Sequence, residues 1–158
     1  MKSGSLSEIK KELQELEPKH LADLCIALAK YKKDNKEYLD YLMFESHDKN
    51  GFVAQVKQLV DENFVELNPS TNLYYAKKSL RKILRIINKY IKYIGDKAIA
   101  AELHIYFCKK LKASEIPIEK SARLVNLKAG EIKKINALIC TLHEDLQHDY
   151  LKDLEEVL

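Results

Sequence analysis

The chain has 158 residues, 46% hydrophobic and 32% charged, with 27 Lys/Arg against 24 Asp/Glu for a net charge of +3. That length suits one domain burying roughly 70% of its unfolded surface, and that balance excludes a disordered chain. Four glycines, three prolines and no tryptophan argue against a turn-rich β protein, and no apolar run approaches the roughly 20 residues of a membrane-spanning helix.

Residues 1–5 read as a flexible N-terminus and 6–158 as a single helical domain. Pro18, Gly51, Pro69, Gly95, Pro117 and Gly130 separate stretches whose apolar residues recur near every 3.6 positions. That pattern is all-α: seven or eight helices in consecutive antiparallel hairpins, forming an irregular bundle or a short α-α superhelix.

A first helix spans about 6–16, with Ser5 and Glu8 spaced as a capping box. Pro18 suits the first turn of a second helix, whose stripe is Leu21, Leu24, Cys25, Leu28 and Ala29. A third begins at Asp34 with Glu37 as its capping partner and is expected to bury Tyr38, Leu39, Leu42 and Met43. After a turn at 46–51, a fourth presents Phe52, Val53, Val56, Leu59, Val60 and Phe64 on one side. The polar run 68–72 is the longest break.

Residues 72–95 form the most distinctive segment: seven Lys/Arg and no acid, which leaves the rest of the chain with 20 cations against 24 acids. As a helix it would be about 36 Å long. Leu80, Ile83, Leu84, Ile87, Ile91 and Ile94 make its buried stripe. Lys77, Arg81, Arg85, Lys89 and Lys92 share the opposite face, which Lys78 and Lys82 widen. Cations near a helix N-terminus oppose the macrodipole, so an anionic neighbour is expected. It could be the chain's own C-terminal helix, which carries Glu144, Asp145, Asp149, Asp153, Glu155 and Glu156. It could instead be an acidic protein, a membrane surface, or nucleic-acid phosphates with Tyr74, Tyr75, Tyr90 and Tyr93 as stacking platforms.

Gly95 ends that helix and Asp96 starts a sixth, with Ile99, Leu103, Tyr106, Phe107 and Leu111 inward. A short seventh helix over 118–127 and a long final one from Glu131 complete the chain. The segment 120–136 has helix-turn-helix-like spacing, with small Ala122 at the crossing and Asn126 at the turn. Lys128, Lys133 and Lys134 would then face DNA. It lacks the turn glycine, and Gly130 weakens its second helix.

Little points to chemistry. His143 and His148 are five apart, which turns them about 140° from each other on a helix, so no metal site is expected. Nucleophile elbows, phosphate loops and dinucleotide fingerprints are missing from the sequence, and no enzyme activity, catalytic residue or cofactor is expected. Cys25, Cys108 and Cys140, odd in number and each in an apolar stretch, read as small buried hydrophobes of a reducing compartment. With MKSGS lacking the apolar core of a signal peptide, they point to the cytoplasm.

One internal echo stands out: Ala22-Asp23-Leu24-Cys25-Ile26 and Ala101-Glu102-Leu103-His104-Ile105 align at an offset of 79 residues. The succession YYAKKSLRKILRIINKYIKYIG (74–95), ELHIYFCKKLK (102–112) and LHEDLQHDYLKDLE (142–155) resembles a small, uncharacterised bacterial family of helical proteins. The resemblance implies a self-standing helical domain and brings no activity, cofactor or site residue.

Overall fold

The computed structural model describes residues 4–158. Its eight α-helices are α1 (Leu6–Gln14), α2 (Pro18–Tyr31), α3 (Lys33–Asp40), α4 (Lys49–Phe64), α5 (Leu73–Ile94), α6 (Lys97–Ala113), α7 (Ala122–Ile139) and α8 (Glu144–Glu155). A π-helical turn at Tyr41–Glu45 follows α3, and a 3-10 turn at Ile118–Lys120 precedes α7. No strand occurs among the described residues, and none of their helices is long and apolar enough to cross a membrane. The fold is all-α, as the periodicity predicts. The chain packs as two compact units, Met1–His47 and Asp48–Leu158.

In the first unit, α1 opens on the predicted capping box. Glu8 N donates to Ser5 Oγ at 3.3 Å, and Ser5 N donates to the Glu8 carboxylate at 2.7 Å. Ser5 is thus a cap; of the rest of the predicted flexible terminus, Gly4 is exposed and residues 1–3 lie outside the described residues. The box predicted at Asp34 and Glu37 does not form. Lys32 is the N-cap, and both acids instead face lysines, Lys32–Asp34 and Lys33–Glu37, each at 3.6 Å. The cause is the tight corner: Asn35 Nδ2 donates to Leu28 O at 2.9 Å, clasping the end of α2 and starting α3 one residue early. α2 packs on α3, yet neither these helices nor α1 has a buried residue; among the described residues of this unit, only Tyr41 is buried. The stripes expected to be buried are half-buried or exposed, with Leu28 at 61% and Met43 at 62%. Two short helices side by side cover only part of each other.

The second unit has a complete core. Asp48 caps α4 by accepting from Gly51 N, and Phe52, Val53, Val56, Val60 and Phe64 are buried. α6 starts at Asp96, whose side chain accepts from Ala98 N and Ile99 N. It packs against α4, α5, α7 and α8, and so is buried nearly all round, from Ala100 and Ala101 through Leu103, Ile105, Phe107 and Cys108 to Leu111.

The C-terminal third corrects the sequence reading. Residues 122–139 form one uninterrupted helix, so the turn at Asn126 does not exist and 120–136 is not a helix-turn-helix. Gly130 inside a helix costs only about 1 kcal/mol relative to Ala. Leu124, Glu131, Ile135 and Ile139, spaced seven, four and four apart, hold one buried face across it. The break falls instead at Cys140–His143, so the predicted long final helix is two. α8 anchors through Leu154, with Val157 buried just beyond it.

Candidate functional site

α5 has the predicted limits. Asn72 accepts from Tyr74 N at the start, and Gly95 ends the helix in the left-handed region at φ 67°. Ala76, Leu80, Ile83, Leu84, Ile87 and Ile94 are buried, while Ile91 is half-buried. This inward wedge fixes the rotation of the helix and turns the cations outward.

The seven predicted binding residues do not behave alike. Lys78, Arg81, Lys82, Arg85 and Lys92 are exposed, whereas Lys77 and Lys89 are partly covered. Lys89 Nζ sits 5.6 and 5.8 Å from the ring centroids of Tyr90 and Tyr93, and Lys77 Nζ sits 5.3 Å from that of Tyr74. These rings hold the ammonium groups by their electron-rich faces. An open groove of about 570 Å³ has Lys77, Lys78, Arg81 and Arg85 along its wall, with Leu84 and Tyr74 as its apolar part. Lys82 and Lys92 lie outside that groove. Four of the seven therefore form one cationic lining.

The predicted intramolecular partner does not pair with Lys77, Lys78, Arg81, Lys82, Arg85 or Lys92. Asp153 and Glu156 instead meet Lys109 of α6, at 2.8 and 3.0 Å. The hydrogen bond that Lys109 donates to Asp153 is the main reason the Lys109 pKa is raised. Lys112 Nζ also donates to Glu156 O. Among the described residues, Lys77, Lys78, Arg81, Lys82, Arg85 and Lys92 have no carboxylate within ion-pair distance. The reason is positional: α8 packs on α6 and α7, which brings Asp153 and Glu156 to Lys109 of α6.

A second polar feature is internal. His104 Nδ1 stands 2.6 Å from Glu131 Oε2, and neither atom has another hydrogen-bond partner. Two lone-pair atoms approach so closely only with a proton between them, so His104 donates Nδ1–H to the carboxylate. The other oxygen accepts from Lys134 Nζ at 2.9 Å. Burial pushes the Glu131 pKa up, but these two hydrogen bonds outweigh it and hold it below the ordinary value. Nearby Cys108 is raised to about 12, by burial first and the Glu131 charge second, so it stays a thiol. A buried protonated thiol has no nucleophile to offer; the cluster is a polar tie between α6 and α7.

Sequence reading left His104 without a role and missed Glu131. The available signal was that Glu131 occupies the apolar stripe of its own helix, four residues before Ile135. The cysteines are also corrected: Cys108 is buried, but Cys25 and Cys140 are exposed, Cys25 on α2, which packs on α3, and Cys140 in the break just beyond α7. Among the described residues, no three His, Cys, Asp or Glu side chains converge to hold a metal ion. No family model, curated protein or solved structure matches the chain.

Proposed function

We propose that the chain is a non-enzymatic interaction module of the cytoplasm that docks an acidic protein surface on the outer face of α5. The observation that carries this reading is the set of cations at 77, 78, 81 and 85, lining one groove with no carboxylate beside them. Their spacing adds chemistry. Lys77, Arg81 and Arg85 rise by about 6 Å per step, the repeat of carboxylates four residues apart on a partner helix. The groove also has an apolar part in Leu84 and Tyr74. A partner offering both acids and apolar side chains along one helix satisfies both requirements.

Nucleic acid is the second reading. It is favoured by the exposed rings of Tyr74 and Tyr75 at the end of the cationic row, which offer stacking faces.

The test is titration of the full chain with an acidic amphipathic helical peptide, a single-stranded oligonucleotide and a duplex at two salt concentrations. The peptide is expected to bind more tightly than either oligonucleotide, and Arg81→Glu with Arg85→Glu should weaken it at least tenfold (about 1.4 kcal/mol). Preferred binding of oligonucleotide, with a log–log salt slope near −0.9 per duplex phosphate contact, would favour the second reading. No binding of any probe at low salt removes both.

A further inference from the structure

The first unit exposes an unusual amount of oil. Among the described residues, eleven large hydrophobic side chains of Met1–His47 are exposed, against seven in the much longer second unit. Six of the eleven fall into two complementary shapes. α1 presents a ridge, Leu6, Ile9 and Leu13, spaced three and four apart and so on one side of the helix. α2 and α3 form between them an apolar groove of about 280 Å³, with Cys25, Leu28 and Leu42 in its lining.

Charge is divided the same way. Residues 6–17 carry Glu8, Glu12, Glu15 and Glu17 against Lys10 and Lys11, a formal −2. The corner at 30–37 between the groove-forming helices carries Lys30, Lys32, Lys33 and Lys36 against Asp34 and Glu37, a formal +2. At roughly 100 Å² per exposed apolar side chain, the ridge and groove of one copy offer about 600 Å², somewhat below the ~800 Å² each partner gives a standard stable interface and suited to a reversible dimer.

We infer that the first unit is a self-association module, in which α1 of one copy seats its Leu6–Ile9–Leu13 ridge in the α2–α3 groove of a second copy. The exchange is reciprocal, so one two-fold axis fills both grooves and leaves no open end. The acidic flank of α1 then lies along the partner's lysine corner, which sets the direction of docking. A ridge, a groove that accepts it and opposite charges beside them are all present on the same unit. This inference does not depend on the reading of α5, and charge reversal there leaves it unaltered.

The experiment is sedimentation equilibrium of the full chain from low to high micromolar concentration. A reversible monomer–dimer equilibrium is expected. Leu28→Glu should shift it towards monomer at least tenfold with unchanged circular dichroism, since an exposed position tolerates the charge. Glu12→Lys with Glu15→Lys should weaken the dimer likewise, and adding Lys33→Glu with Lys36→Glu should restore it. On a Cys140→Ser background, Leu13→Cys should form a disulfide with Cys25 between chains under mild oxidation. A dimer indifferent to Leu28→Glu overturns the inference. So does a monomer at every concentration, whether its Leu13→Cys–Cys25 link closes within one chain or the protein transfers to phosphatidylglycerol vesicles.

Discussion

α2 and α6 carry nearly the same local sequence, Ala-Asp-Leu-Cys-Ile and Ala-Glu-Leu-His-Ile, and meet opposite fates. α6 has eight buried residues and is packed on four sides; α2 has none and packs on α3. Leu103 is 0% exposed, whereas Leu24, its counterpart in the echo, is 43% exposed. An amphipathic pattern states which face a helix can bury. How much it does bury depends on how many partners the chain brings to it.

Thiol chemistry tests this contrast most sharply, because each helix carries a cysteine. In dilute protein at pH 8, a disulfide reagent should modify Cys25 and Cys140 promptly and reach Cys108 only on unfolding, a difference of orders of magnitude. Three rapidly reacting thiols would dissolve the contrast. Slowing of Cys25 as protein concentration rises would extend it to the proposed self-association.

Side-chain truncation comes next in size. Phe107→Ala in α6 removes a ring with no exposure and should cost about 3–5 kcal/mol, read as a lower urea midpoint. Leu28→Ala in α2, measured in dilute protein, should change the midpoint by less than about 0.5 kcal/mol. Comparable losses would mean that α2 is held as firmly as α6.

The polar tie gives a smaller and pH-dependent effect. Glu131→Ala strands His104 in the core and should cost about 3 kcal/mol at pH 7. The folded-state pKa of Glu131 lies below its ordinary value of 4.5. Its contribution is therefore present in full above the unfolded value and is lost as pH falls through the folded one. Urea midpoints of the two proteins should accordingly converge under acid conditions. A gap that stays constant down to low pH would show that packing, not the ion-pair geometry, sets the cost.

The basic helix was the most legible part of the molecule. Its caps, its isoleucine stripe and its cationic face all follow from local spacing, and Asn72 and Gly95 bound it as predicted. Less legible was the C-terminal third, because a glycine inside a helix and one at its end look alike in sequence. The cost at Gly130 was outweighed by the buried Leu124–Ile139 face, which only neighbours could establish. Glu131 was hidden for a related reason: a glutamate reads as surface until a histidine from another helix is placed against it.

Residue order alone determined that this chain is helical, where α5 begins and ends, and that its positive charge is concentrated on one side of that helix. These are short-range matters, set by hydrogen-bond caps and a 3.6-residue period. Tertiary packing decided that the acids of α8 meet Lys109 of α6 rather than the stripe on α5, that His104 meets Glu131, and that the oily faces of α1 to α3 stay open. Such pairings depend on which elements become neighbours, and charge or hydrophobicity makes a residue fit for many partners without naming one.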